Sequence, residues 1–245
     1  MARPASRPSV FPAAWPLRSL ELAEFERLLV DEHPRALEIS KDFVEARSIK
    51  TTAALLRRHP PRLLSFAGTT DFCGRSGMDQ RQYLSYFAIQ AAQAAFLGSH
   101  LFRALAGHDP GVSAAQLTDR LAQAQAQLGS IELVVETHGG RESDLDVLRH
   151  LLDVGRFRLV IDIANVRQPD TVQFLLEEPL GDRIAYVHVR NLDGYVEDET
   201  ALVRERALTL KYPDHLVFFE PKRIEGAAAV DVALRSGRAG LGEAR

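Results

Sequence analysis

Short apolar strands alternating with amphipathic helices along the whole chain predict a single α/β domain, a parallel eight-stranded (β/α)₈ TIM barrel. Three observations carry this. Strand follows helix repeatedly, which requires a parallel sheet. Segments such as IELVVET (131–137) are continuously apolar, as in strands covered on both faces. The 245 residues, 46% of them hydrophobic, also match the roughly 250 that one such barrel needs. A doubly wound open sheet is the rival, but no GxGxxG follows an early strand to build its usual switch-point site.

In chain order, 19–30 has helical spacing, with Leu22, Phe25, Leu29 and Val30 on one face and Ser19 placed to cap it. ALEIS (36–40) reads as a strand, TTAALLRRH (51–59) as a helix stopped by Pro60–Pro61, and RLLSFAGT (62–69) as a strand. A long helix spans 79–97 and ends at Gly98, a residue suited to a left-handed cap. Then come strand LFRALAG (101–107), a helix over 113–128 closed by Gly129, strand 131–137, helix 143–154, strand 158–165, helix 171–180, strand 183–191, a helical or mixed segment over 201–212, and strand 215–221. A last helix occupies 225–237. Seven strands are distinct; the eighth is assigned to VFPAAWPL (10–17) by elimination. One domain over 1–245 follows, with 1–9 and 237–245 expected to be flexible.

Composition excludes several classes. A formal net charge of -3 gives no basic footprint for nucleic acid. The single cysteine, Cys73, rules out an internal disulfide framework and fits a reducing, cytoplasmic setting. The basic start MARPASRPSVFPAAWPL lacks the apolar stretch of a secretory signal, and no apolar run approaches the roughly 20 residues of a membrane span. A homo-oligomer is compatible with the sequence.

Four residues share one structural address. Glu136 ends IELVVE, Asp162 lies in RLVID, His188 in IAYVH, and Glu220 ends HLVFFE, at separations of 26, 26 and 32 residues, about one βα unit each. In a barrel the carboxyl ends of successive strands converge on one face, where active sites lie. Three carboxylates that close repel one another unless a cation neutralises them. With an imidazole they form a donor set suited to Mn²⁺ or Mg²⁺, with Co²⁺ or Zn²⁺ as alternatives. Taken singly, each acid reads more simply as a helix cap and the histidine as a core residue. Four in series at strand ends favour the metal.

The series VVETHGG, VIDIANV, YVHVRN and FFEPK resembles the xylose-isomerase-like barrel superfamily of sugar isomerases and epimerases, and is closest to its ketose 3-epimerase-like branch. The resemblance runs in order from about Ala36 to the last strand. It implies that Glu136, Asp162, His188 and Glu220 bind one divalent metal, and that Glu136 and Glu220 double as the acid–base pair. The implied reaction moves a proton on a carbon next to a carbonyl in a small carbohydrate-like substrate.

Departures from the pattern bear on the substrate. Asn165 stands where relatives often carry a histidine that helps hold it. No basic residue follows a little beyond His188, though Arg190, on the same strand face, is a substitute. SFAGTT also lacks a histidine found in many relatives. His138, on the face of Glu136, is read either as a substrate contact or as a helix cap. Glu38 is read as a hydroxyl binder or, more simply, a loop or cap acid. GTTDFCGRSG with Arg75 is an anion cradle or an ordinary loop, Lys222 and Arg223 neutralise a phosphate or face water, and Trp15 and Phe11 line the mouth or pack in the core.

The competing functions are a dehydratase or lyase on the same scaffold, a non-catalytic binding or assembly subunit, and hydrolysis of abasic DNA. The last is disfavoured by the negative charge and the few strand-end histidines.

Overall fold

In the computed structural model the described residues, 10–72, 80–192 and 194–239, build one sheet of eight parallel strands wrapped by helices. The strands are β1 (Val10–Pro12), β2 (Ala36–Ser40), β3 (Leu63–Asp71), β4 (Leu101–Leu105), β5 (Glu132–Glu136), β6 (Arg158–Asp162), β7 (Ile184–Val189) and β8 (Val217–Phe219). The helices are α1 (Ala14–Leu17), α2 (Leu22–Glu32), α3 (Lys41–Ala46), α4 (Ile49–Arg58), α5 (Gln80–Leu97), α6 (Ala114–Leu128), α7 (Leu145–Asp153), α8 (Pro169–Glu177), α9 (Glu199–Lys211) and α10 (Gly226–Ala239). The expected barrel is therefore present, and VFP does supply the first strand, paired with β8.

Local expectations are met with three corrections. Ser113 caps α6 through a capping box with Gln116. The cap of α2 is Glu21, in a reciprocal box with Glu24, and not Ser19; the helix starts three residues later than expected because Pro16, Leu17 and Leu20 are drawn into the core. Its buried face is Phe25, Leu28 and Leu29, while Val30 points outward. The short helix α3, capped by the Ser40 hydroxyl, was not read from the sequence, since six residues are too few to show a period. Helix α10 runs to Ala239, into the segment expected to be flexible; 240–245 and 1–9 lie outside the described residues.

Strand parity divides each strand between two cores. Outward-facing residues such as Phe66, Phe102 and Ile161 pack against the helices, with aromatic contacts Phe66–Phe102 and Phe87–Phe102 at ring separations of 5.6 and 5.1 Å. Gly68 on β3 is forced small here, because a Cβ would sit 2.4 Å from the Phe102 ring. Inward-facing residues Phe11, Leu101, Val134, Val160, Tyr186 and Phe218 fill the barrel. Phe11 is thus core, while Trp15 is exposed with the Arg18 guanidinium stacked on it.

The sheet has one seam. Among the described residues no ladder joins β1 to β2. A buried carboxylate bridges the gap: Glu38 of β2 accepts the backbone N–H of Ala14, just beyond β1, at 3.0 Å. Its other oxygen accepts the Tyr186 hydroxyl at 2.6 Å, and Tyr186 in turn bonds Ser65 at 2.9 Å. Arg103 of β4 places its Nε 2.8 Å from Glu38. Of the readings of Glu38 the helix-cap one holds, since it satisfies an orphan N–H of α1, though it does so from inside the barrel.

Removing one member of such a buried network leaves the others uncompensated, which costs about 3–5 kcal/mol. Glu38→Leu is expected to lower the urea unfolding free energy by that amount. Adding Tyr186→Phe should then cost less than it does alone, because the phenol's acceptor has already gone. A loss below about 1 kcal/mol for Glu38→Leu would show that the carboxylate does not hold the seam.

Candidate metal centre

The four strand-end residues meet. Glu136, Asp162, His188 and Glu220 each offer one donor atom, and these atoms all lie within 4.8 Å of one another. Register explains it: Asp162 pairs with His188 across β6 and β7, and the Glu220 N–H extends the β8 ladder by bonding the Val189 carbonyl at 2.8 Å. All four are buried.

His188 stands at the centre. Its Nδ1 lies 2.9 Å from Glu136 Oε1 and 3.3 Å from Glu220 Oε2, and its Nε2 lies 3.4 Å from Glu38. Asp162 is held from its own loop: Oδ1 accepts the Asn165 N–H at 3.2 Å, and Oδ2 accepts the Asn165 side-chain amide at 2.5 Å. The Asp162 backbone N–H donates to Thr137 at 2.9 Å, tying the ends of β5 and β6 together.

Arg103 was missed by the sequence reading. Its Nη1 bonds Glu136 Oε2, so the guanidinium bridges Glu38 and Glu136 inside the barrel. A signal existed: in LFRAL, Arg103 shares the inward face of Leu101, and a charged residue there needs buried partners. Burial opposes ionisation of Glu38, yet Arg103 and His188 outweigh it and hold that carboxyl below its usual range. Burial also opposes ionisation of Glu220, but His188 and Arg103 bring it down to about 2. Asp162 moves the other way, raised by burial and by Glu220 against the pull of Arg190.

These residues fit a divalent cation. Three carboxylates and an imidazole are the hard-oxygen and borderline-nitrogen donors that such ions take. Glu220 Oε2 is buried with no hydrogen-bond partner among the described residues, and lies 3.3 Å from His188 Nδ1. In a ligated His188 the nitrogen facing Glu136 and Glu220 would bind, with Nε2 turned to Glu38 as the orienting carboxylate.

Above the cluster opens a cavity of about 410 Å³ lined by His108, His138, Gly139, Ala164, Asn165, Arg167, Arg190 and Lys222. The three residues expected to touch substrate, His138, Asn165 and Arg190, therefore share it. Arg190 reaches Asp162 at 3.4 Å and also donates to the side-chain Oδ1 of Asn165; Lys222 Nζ approaches that same oxygen at 3.3 Å. Gly139 adopts φ +89°, and a Cβ there would meet the Asn165 carbonyl at 3.1 Å, so the turn after β5 keeps the cavity open. Arg223 is not among the residues that line the cavity; its backbone N–H donates to Glu197. Of the GTTDFCGRSG segment, residues 73–79, including Cys73 and Arg75, lie outside the described residues.

A pH dependence follows for the chelator-treated chain. Burial alone would lower the His188 pKa, but Glu38 and Glu220 raise it from 6.5 to about 9. The folded state thus binds this proton more tightly than the unfolded one. The stabilisation is complete below pH 6.5 and is lost as pH rises to about 9. Urea stability should fall across that window by a few kcal/mol, and His188→Gln should flatten the profile. A wild-type profile that is flat or rises there would contradict the buried imidazolium.

No family model matches the chain, and no curated protein matches its sequence. Solved structures do match in shape. D-allulose 3-epimerase from Methylomonas sp., in complex with D-allulose, superposes at a TM-score of 0.64 with 17% identity over 98% of each chain. The IolI protein with a bound zinc atom gives 0.66 and 12%, over 94% of this chain and 95% of its own. The apo form of 3-keto-D-glucoside 4-epimerase, YcjR, from E. coli gives 0.64 and 15%, over 95% of this chain and 100% of its own. At these identities the likeness is one of fold, and it matches the resemblance carried by the four strand-end motifs: the chain has the xylose-isomerase-like TIM-barrel fold.

Proposed function

We propose that this chain is a divalent-metal-dependent isomerase or epimerase that moves a proton next to the carbonyl of a small sugar or polyol-derived substrate. The observation that carries the reading is the buried Glu136–Asp162–His188–Glu220 cluster at the carboxyl end of the barrel, under a polar cavity of sugar size. Epimerases acting on sugars share the fold, and one neighbour holds D-allulose. Mn²⁺ or Mg²⁺ is the preferred ion, with Co²⁺ or Zn²⁺ as substitutes. No described helix is long and apolar enough to cross a membrane, and we place the protein in the cytoplasm.

When bound, the ion would polarise the substrate carbonyl and offset the negative charge that develops as the proton leaves. The residues divide the remaining work. Glu136 has one oxygen committed to Arg103 and the other facing the centre of the cluster, so its carboxylate is pinned in direction. Glu220 enters from β8 with an oxygen free of hydrogen bonds. Proton removal at one face of the carbon and return at the other would use these two groups. Asp162, fixed by Asn165 and Thr137, and His188 hold position. His138, Asn165 and Arg190 would bind the substrate hydroxyls from the cavity wall.

The test is solvent exchange. With Mn²⁺ present, turnover in D₂O should place deuterium on the carbon beside the carbonyl. Glu220→Gln retains the size and some ligand capacity of the glutamate but not its basicity, so exchange should fall by ~10²-fold or more. Metal content is measured alongside, because a lost ion alone would also slow the reaction. Undiminished exchange in a folded, Mn²⁺-loaded Gln variant would remove Glu220 from the mechanism.

A further inference from the structure

The cavity above the cluster is charged in one sense. Its lining contains three permanent cations, Arg167, Arg190 and Lys222, from the loops after β6, β7 and β8, and two histidines, His108 and His138. No carboxylate appears among the described lining residues. This concentration stands in a chain whose formal net charge is -3.

The cations are poorly compensated where they meet. Arg190 and Lys222 converge on a single acceptor, the neutral side-chain oxygen of Asn165. Among the described residues the carboxylate that pairs with their side chains is Asp162, beneath the cavity, 3.4 Å from Arg190 and within the proposed metal shell; Glu205 and Glu197 meet only the backbone N–H groups of Arg190 and Lys222. Arg190 Nε is buried without a hydrogen-bond partner among the described residues. Arg167 makes no described ion pair and lies exposed on the rim. Two like charges sharing one neutral oxygen repel, and an oxyanion placed among them would relieve that repulsion through charge-assisted hydrogen bonds. A ligand made only of hydroxyls would leave the repulsion in place.

We infer that the substrate carries an acidic group, a carboxylate or a phosphate, which Arg190 and Lys222 bind with Arg167 at the rim, while its carbonyl end faces the Glu136–Asp162–His188–Glu220 cluster. This rests on the proposed function and narrows it from a neutral sugar to an acidic sugar derivative. Because the same guanidinium reaches Asp162, the acidic group and the reacting carbons are separated by only a short carbon chain.

A matched series tests this on the Mn²⁺-loaded protein: D-fructose, D-fructose 6-phosphate and D-fructuronate, which differ only at the terminal carbon. Calorimetric titration should show at least one acidic member binding tenfold or more tighter than D-fructose. Preference for the phosphate or for the carboxylate identifies which group the site takes. Lys222→Met and Arg167→Met should each reduce that preference, with folding checked by urea unfolding and metal content measured in each. The inference is overturned if D-fructose binds as tightly as both acids, if neither acid binds, or if the preference survives both substitutions. Deuterium incorporation from D₂O is read on the same samples. Acid-selective binding without any exchange would refute the proton-transfer reading and leave the anion site standing; exchange of D-fructose without acid preference would do the reverse.

Discussion

Burying carboxylates inside a barrel is the constraint on which the rest of this structure depends. Glu38, Glu136, Asp162 and Glu220 are all nearly or wholly shielded from water. Anions in such surroundings persist only where positive charge or hydrogen-bond donors meet them. Arg103 and His188 supply it from the inside and Arg190 from the cavity side. The barrel makes this possible because its inward positions come from every strand at once, so residues distant in sequence share one small volume.

Two polar levels result, with different work to do. The lower one, Glu38 with Tyr186, Ser65 and Arg103, closes the seam between β1 and β2, and both Glu38 oxygens accept hydrogen bonds from within the protein. The upper one retains unsatisfied capacity: a Glu220 oxygen without a hydrogen-bond partner and a histidine shared between two carboxylates. His188 joins the levels, with one ring nitrogen facing each. Structural networks end in satisfied atoms, whereas a site built for a ligand keeps some open. That difference is the physical reason for assigning stability to Glu38 and chemistry to Glu220.

The barrel and the four-residue cluster were legible because both rest on periodicity. Continuous apolar strands ending in a polar residue recur at one βα unit, and the ends of such strands meet in only one place. Arg103 was hidden because it sits mid-strand, where an arginine reads as an interruption of the apolar run; only the alternation within LFRAL places it inside. Glu38 was read as a cap acid and does meet an N–H of α1, but its burial inside the barrel was hidden, since a short strand such as ALEIS does not show which of its faces is buried. The α2 boundary failed through competition between local signals: Ser19 is the better cap by residue type, but core packing of Leu17 and Leu20 delays the helix to Glu21. Arg190 and Lys222 were singled out in the sequence one by one, but their convergence with Arg167 in one cavity was not, because the three come from loops whose meeting depends on their conformations.

The central claim is that the upper cluster is built around one divalent ion. Crystals grown with Mn²⁺ and measured at an X-ray energy where manganese scatters anomalously test it directly. The account predicts one anomalous peak per chain, with an oxygen of Glu136, Asp162 and Glu220 and a ring nitrogen of His188 each about 2.0–2.3 Å from it. Manganese bound elsewhere at full occupancy, or a cluster still closed on Arg103 with no ion at saturating Mn²⁺, would contradict it.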